Sequence, residues 1–356
     1  MLVGFLSLLA SFCAALFIYA TRRFHIQRTA KGHAGQAVQS SHRLPTSRIG
    51  GLALFFGGAA GFWALNGDAR SILAVLFISA LPVFLGGLGE DTGFNISPKM
   101  RLGLSFVSAI IAIIAFGIWL PPSGVYWLDL AVGWAPVLIL FTILTSGGIS
   151  HAINLIDGLN GLAIGISAII GTGLLILSVQ LQDTVMTQIC VIAIAALMGL
   201  FAVNYPFGKI FLGDAGAYSV GHILTWIAIL LLNRHDSLAP FAILLIFFWP
   251  LADMLFSIYR RMRAGKPVDQ PDRLHFHQLV MRGLEIIWLK RANRQFTNPM
   301  ATALILPMAA LPVGLGVLLR HENALAAAAI LVTAGLFVGT YRGGVLFMRW
   351  VHNRRD

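Results

Sequence analysis

An all-α, polytopic transmembrane helical bundle is the fold this sequence predicts, and three observations predict it. The chain is 58% hydrophobic and only 11% charged, against about 25% charge in an ordinary soluble domain. Its apolar residues come in blocks of roughly 16–20, long enough to cross a hydrocarbon core of about 30 Å. The blocks lack the alternation of an outer-membrane barrel, and a helix lets each one satisfy its own backbone hydrogen bonds in lipid.

Eleven spans are expected, over residues 2–20, 50–66, 72–89, 102–120, 135–151, 161–180, 187–204, 218–233, 240–258, 299–319 and 324–341. The first has no Lys or Arg before it, so it reads as a retained span and not as a signal peptide. The segments after the odd-numbered spans hold 22 of the 25 Lys and Arg residues, the other side only Arg70, Arg234 and Arg320. That asymmetry places the N-terminus outside and the C-terminus in the cytoplasm. The net charge of +11 therefore sets orientation and does not call for nucleic acid. Cys13 and Cys190 both lie in apolar blocks and read as packing residues without a disulfide role. No repeat, inverted or direct, interrupts what reads as a single membrane domain over 1–356. Its longest loop, 259–298, is expected to be cytoplasmic, and Val280–Leu289 within it suits a helix lying at the interface.

Polar residues separate the two faces. Asp68, Asp129, Asp183, Asp236 and Glu322 are scattered singly over the outer side and read as solvent-facing. The cytoplasmic ends instead gather acids, histidines, asparagines and glycines in Ser41–Gly51, Gly86–Arg101, His151–Gly165, Asn204–Gly216 and Asp272–Gly283. Ionisable groups at membrane depth are costly and point to function. Glu90 and Asp91 end the third span, where acids oppose the helix dipole, so a cationic partner, a metal or a lysine, is expected. Asp157 sits in a glycine-rich turn that a ligand can approach closely. Asp214, in Gly-Asp-Ala-Gly, reads either as a helix N-cap or as a ligand. Arg273, His275 and His277 read either as a solvated basic loop or as a phosphate site. Taken together, acids beside a basic loop suit a divalent cation and a polyphosphate. Walker A is absent, and no cysteines support a zinc site.

These motifs, in this order, resemble those of the polyprenyl-phosphate N-acetylhexosamine-1-phosphate transferases, glycosyltransferase family 4. The resemblance runs from Ser41 to about Gly283 and covers the family's P-T-P-R-x-G-G, acidic pair, N-x-x-D-G-x-D-G, N-x-P-P-A-K-x-F-x-G-D-x-G and H-x-H-H patterns. The chain departs at Ser47, Glu90, Asn160, Phe207-Gly208 and Gln278. Its His-Phe-His loop looks more like the branch that starts O-antigen, enterobacterial common antigen and teichoic-acid linkage synthesis than the peptidoglycan branch, which transfers phospho-MurNAc-pentapeptide.

The resemblance implies transfer of a sugar 1-phosphate from a UDP-N-acetylhexosamine to polyprenyl phosphate, with UMP leaving. It implies a bacterial inner-membrane enzyme with its site on the cytoplasmic face and membrane lipid around it; a homodimer stays open. Mg²⁺, or Mn²⁺ in its place, would be held by Asp214 with Asp157. Asp91, with Glu90 beside it, would act on the lipid phosphate as base or nucleophile. Asn154, Asp157 and Asn160 would face the nucleotide or the metal, and Phe211 would stack on uracil. Arg273, His275 and His277 would hold the diphosphate, with Arg48, Lys99, Arg101, Asn204 and Lys209 as further contacts and Asp253 as a supporting acid. A transporter of anionic substrates and a silent lipid-binding relative are the competing classes. Orientation is directly testable: a Gln270→Cys variant in intact cells is expected to resist an impermeant thiol reagent and to react once the membrane is opened. Labelling from outside overturns the topology.

Overall fold

The computed structural model describes residues 1–29, 46–267, 272, 274–286 and 294–353. Those residues form α1 (Leu2–Ala20), α2 (Arg22–Thr29), α3 (Gly51–Ala64), α4 (Gly67–Asp91), α5 (Pro98–Phe116), α6 (Tyr126–Val132), α7 (Ala135–Leu155), α8 (Leu162–Gln180), α9 (Thr184–Asn204), α10 (Gly213–Arg234), α11 (Pro240–Ile246), α12 (Phe248–Arg263), α13 (Phe276–Leu284), α14 (Arg294–Leu318) and α15 (Asn323–Asn353). The described chain is entirely helical between its turns, and it is a multi-pass membrane protein.

Nine of the described helices are long and apolar enough to cross a bilayer, and α11 with α12 makes up to ten. The sequence count of eleven differs at two places. The block at 50–66 yields a helix of 14 residues, about 21 Å at 1.5 Å per residue and short of a full crossing. The block at 240–258 is broken, because α11 and α12 meet at an angle of 79°. Pro250 lies in the first turn of α12, where it offers no N–H to continue the ladder across the break. The expected span at 218–233 also begins earlier, at Gly213, so Asp214 lies inside the first turn of α10 and the N-cap position is Leu212.

α10 is the central post. It is buried along nearly its whole length and packs on α4 and α7, and also on α3, α5, α8 and α9. Without a hydrophobic drive between helices in lipid, close backbone approach and polar contacts supply the cohesion. Both occur here. A Cβ at Gly221 would lie 2.5 Å from the Ser150 Cα, so α7 and α10 touch backbone to backbone. The next residue, fully buried His222, joins three helices: Ser79 of α4 lies 3.0 Å from Nε2 and Ser146 of α7 lies 3.3 Å from Nδ1.

Two of the acids expected to face solvent do more than that. Asp183 is buried and accepts a two-pronged contact from Arg234 at 2.6 and 3.1 Å, with His235 at 3.0 Å and the Met186 N–H at 3.0 Å. Burial works against its charge, but the Arg234 hydrogen bonds outweigh it and hold the carboxyl at about 2. Asp129 accepts from the Ser123 and Gly124 amides at 2.6 and 2.9 Å and closes the loop before α6. Cys190 is buried, whereas Cys13 faces outward from α1 and is not a packing residue.

The lock at His222 has a measurable weight. His222→Ala leaves two buried serine hydroxyls without their partner, at a cost of about 1–3 kcal/mol. A lower thermal midpoint in detergent is expected, with Ser146→Ala milder; an unchanged midpoint in His222→Ala would show that the triad holds nothing together.

Candidate functional site

The site is built on the N-terminus of α10, where four amides lack helical partners. Asp91, the last residue of α4, supplies the acceptor: Oδ1 takes the Asp214 N–H and Oδ2 the Ala215 N–H, each at 2.9 Å. The cationic partner expected for this acid is thus the positive end of another helix, with Arg48 Nε at 3.9 Å, and not a lysine. The approach requires Gly213, at φ +74°, since a Cβ there would fall 1.7 Å from the Arg48 carbonyl oxygen. Backbone bonds lace the preceding loop to the start of α3: Phe211 N–H donates to Ser47, Gly50 N–H to Phe211 and Gly51 N–H to Leu212, all at 2.9 Å. Arg48 is thereby carried to the mouth of α10.

Charges concentrate around that point. Asp214, buried, accepts from Arg48 at 3.3 Å and from the Asn154 amide at 3.1 Å, and its other oxygen takes Arg101 of α5. Asn154 in turn accepts from the Tyr218 hydroxyl at 3.2 Å. Arg48 lies in the field of Asp214, Asp91, Asp157 and Glu90; burial opposes its charge, but the acids prevail and raise its pKa. Glu90 is partly buried at the end of α4, also within electrostatic reach of Arg101. Asp157, in the turn between α7 and α8, is pushed up to about 7 by burial and by Asp214, against the pull of Arg48 and the Gly213 N–H. It is an acid short of positive charge.

The histidines approach the same turn from the other side. His275 Nδ1 meets Asp253 of α12 at 2.9 Å, and the Phe276 N–H donates to the second Asp253 oxygen at 2.9 Å. Asp253 therefore caps α13 and orients His275. His277 stacks on His275 with ring centres 5.7 Å apart, and its Nε2 would lie 2.5 Å from a Cβ at Gly158. The Asp157–Gly158 turn is thus wedged between α10 and α13. Rings from α12, α13 and α15 pin α13 in place: Trp249–Phe276 at 5.1 Å and Phe276–Phe337 at 5.0 Å. Burial depresses His277 to about 4, so it is neutral at pH 7. Burial also disfavours the His275 cation, but its hydrogen bond and charge pairing with Asp253 win and raise it.

The predicted residues sort themselves in space. Asp91, Asp157, Asp214, Arg48, Arg101 and Asn154 come together, with Glu90 beside them and His275 and His277 across the turn. Asn160 and Asn204 are buried and committed to backbone: Asn160 donates to Pro206 O at 2.7 Å, and Asn204 bridges the Gly161 N–H and Ile210 O. These bonds hold the surrounding loops. Lys209 is exposed and rests over Tyr19 at 5.5 Å and Phe207 at 5.8 Å, outside the acidic cluster. Lys99 is exposed in the first turn of α5, and Phe211 is half-buried. Arg273 and residues 41–45 lie outside the described residues. Sequence reasoning did not single out Tyr218 or His151, whose rings pack 4.8 Å apart beneath Asp214; the i+4 spacing from Asp214 to Tyr218 was the available signal.

Among the described residues, no three His, Cys, Asp or Glu side chains converge at ligating range. The donors that do converge are hard carboxylate oxygens, with Asp157 in the field of Asp214 and Arg48. That set fits Mg²⁺, which is commonly held by one or two carboxylates with substrate phosphate oxygens supplying the remainder.

The chain matches glycosyl transferase family 4 over residues 73–232. It is 29% identical over 239 residues to the probable undecaprenyl-phosphate N-acetylglucosaminyl 1-phosphate transferase of Bacillus subtilis, covering 66% of this chain and 65% of that protein. It is 30% identical over 289 residues to the undecaprenyl-phosphate alpha-N-acetylglucosaminyl 1-phosphate transferase of Yersinia pestis, covering 76% and 72%. The Escherichia coli K12 protein of the same description is 28% identical over 294 residues, covering 77% and 73%.

The His275–Asp253 pair carries a pH signature. Because the folded pKa of His275 is raised, its contribution to stability is complete below the unfolded value of about 6.5 and is lost as pH rises through the folded value. Asp253→Asn is therefore expected to destabilise the protein more at pH 6 than at pH 9, read as thermal midpoints in detergent. An equal loss at both pH values would show that the pair is uncharged.

Proposed function

The chain belongs to glycosyl transferase family 4, the polyprenyl-phosphate N-acetylhexosamine-1-phosphate transferases, and from that premise we propose that it transfers N-acetylglucosamine 1-phosphate from UDP-N-acetylglucosamine to undecaprenyl phosphate. The products are undecaprenyl-diphospho-N-acetylglucosamine and UMP. The observation that carries this reading is the cluster of Asp157, Asp214, Arg48 and Arg101 at the mouth of α10, at one end of an apolar helical bundle. The names of the relatives favour N-acetylglucosamine over phospho-MurNAc-pentapeptide. With the Lys/Arg asymmetry, this face is the cytoplasmic one and the membrane is the bacterial inner membrane.

Both reactants are anions, so their repulsion must be offset before an acceptor oxygen can reach the sugar-bearing phosphorus. Phosphoryl transfer asks the protein mainly for positioning and charge neutralisation. Asp214 and Asp157 would hold Mg²⁺, which would supply Lewis-acid polarisation and a template for the diphosphate. Arg48 and Arg101 reach the same place from two different elements, and guanidinium forks suit phosphate oxygens. His275, oriented by Asp253 and with its pKa raised by that pairing, adds a donor from the opposite wall. Neutral His277 offers Nε2 at the Asp157–Gly158 turn as a donor or acceptor without charge. Asp91 has both oxygens engaged by amides of α10, so its part is to hold Asp214 in place. An apolar crevice lined by Leu54, Phe77, Leu197, Val220 and Leu224 runs between α3, α4, α9 and α10. Val220 is six residues along α10 from Asp214, about 9 Å at 1.5 Å per residue. The crevice offers the acceptor's hydrocarbon a place beneath the charged cluster.

Chemistry and architecture separate in two variants. Asp214→Asn is expected to abolish turnover at any Mg²⁺ concentration while leaving the thermal midpoint near wild type, since an amide brings no charge to a hard cation. Asp91→Asn is expected to lower both, because a backbone cap is weakened by about 0.5–2 kcal/mol and Asp214 shifts with it. The assay is lipid-linked product from UDP-N-acetylglucosamine and undecaprenyl phosphate in detergent. Near-wild-type turnover in Asp214→Asn, or no product from the wild type, overturns the reading.

A further inference from the structure

We infer that Tyr218 is a positioning residue for Asp214, acting through the Asn154 amide; the inference rests on the reading that Asp214 holds a divalent cation. An asparagine amide can present either its oxygen or its NH₂ to a neighbour, and the two faces have opposite effects on a carboxylate. Facing Asp214, the NH₂ donates and the oxygen repels. An ionised Asp214 only accepts and so selects the NH₂, and the partner at the other end holds the oxygen turned away. That partner is the Tyr218 hydroxyl, which donates to Asn154 Oδ1 at 3.2 Å, so that Nδ2 donates to Asp214 Oδ1 at 3.1 Å.

Three features make the arrangement a fixed device. Tyr218 is one turn beyond Asp214 on α10, so both side chains rise from the same face of one helix. The tyrosine is 3% exposed, and its ring packs at 4.8 Å on His151, which lies one turn before Asn154 on α7. The hydroxyl therefore has little freedom to turn elsewhere. α7 and α10 are also locked backbone to backbone near Gly221 and Ser150, so the donor and the amide keep their spacing. The chain Tyr218–Asn154–Asp214 leaves Asp214 Oδ1 constrained by a neutral donor that does not compete as a cation would. Arg48 and Arg101 can then leave the carboxylate for phosphate oxygens without Asp214 losing its orientation.

The test measures metal binding without turnover. Mn²⁺ is titrated into detergent-solubilised wild type, Tyr218→Phe, Asn154→Ala and the double variant, with free Mn²⁺ followed by electron paramagnetic resonance and folding by thermal midpoint. Tyr218→Phe keeps the ring and its packing. It is expected to weaken Mn²⁺ binding about two- to tenfold, the worth of one net hydrogen bond. Asn154→Ala breaks the same chain from its other side, so it reports even if Tyr218→Phe does not fold, and is expected to weaken binding at least as much. The double variant is expected to bind no worse than Asn154→Ala alone, because the hydroxyl acts only through the amide. Wild-type affinity in Tyr218→Phe, or losses that multiply in the double variant, overturns the inference while leaving the function intact. Asp214→Asn is the reference: wild-type Mn²⁺ affinity there removes the cation from Asp214 and takes the inference with it.

Discussion

The carboxylate of Asp91 on the Asp214 and Ala215 amides in the first turn of α10 is the contact on which the rest of the site depends. It joins the C-terminal end of one spanning helix to the N-terminal end of another, opposite dipole ends meeting through a charge that each end needs differently. An acid at the end of α4 is unfavourable by itself, and unpaired amides at a buried helix start are equally unfavourable. Each resolves the other. Gly87 of α4 permits this, because a Cβ there would stand 2.4 Å from the Ala215 nitrogen. Once α4 and α10 are joined in this way, Asp214 is aimed, Gly213 must turn left-handed, and the Ser47–Gly51 segment is drawn in to bring Arg48.

The site is therefore an assembly of helix ends and the short segments that join them, held in place by the bundle. Asp157 is placed by the α7–α8 turn, Arg101 by α5, and the histidines by Asp253 on α12. The asparagines between them, Asn160 and Asn204, spend their side chains on backbone groups that no helix satisfies. This follows from the surroundings: at membrane depth an unpaired amide or carbonyl costs several kcal/mol, so every irregular segment must be closed by a neighbour. The same logic continues inward along α10, from Tyr218 to His222, where serines of α4 and α7 take both ring nitrogens.

The break between α11 and α12 matters for the same reason. After the 79° bend, Asp253 of α12 meets His275 and Phe276, and the aromatic group of Trp249, Phe276 and Phe337 packs beside them. His275, its pKa raised, and His277, lowered to about 4, differ because only His275 makes the close 2.9 Å contact with Asp253, whereas His277 is buried against Gly158, a distinction of environment between two residues only two positions apart.

The sequence by itself determined the membrane class, the helical form and the approximate place of most spans, because apolar length and the need to satisfy backbone in lipid leave few alternatives. It also marked the residues of the site, since acids and histidines bordering apolar blocks carry a cost that needs a reason. It did not decide what those residues do to one another. Asp91 also caps a helix more than a hundred residues away in the chain. Asn160 and Asn204 also fasten loops; Asp183 read as solvated and is tied to Arg234; Lys209 lies against Tyr19. Tyr218 carried no mark beyond its spacing. In each case the deciding partner is distant in sequence and near only after the helices pack. Periodicity and composition report what a segment must bury, whereas hydrogen-bond direction and the sign of a pKa shift depend on which neighbour the fold supplies.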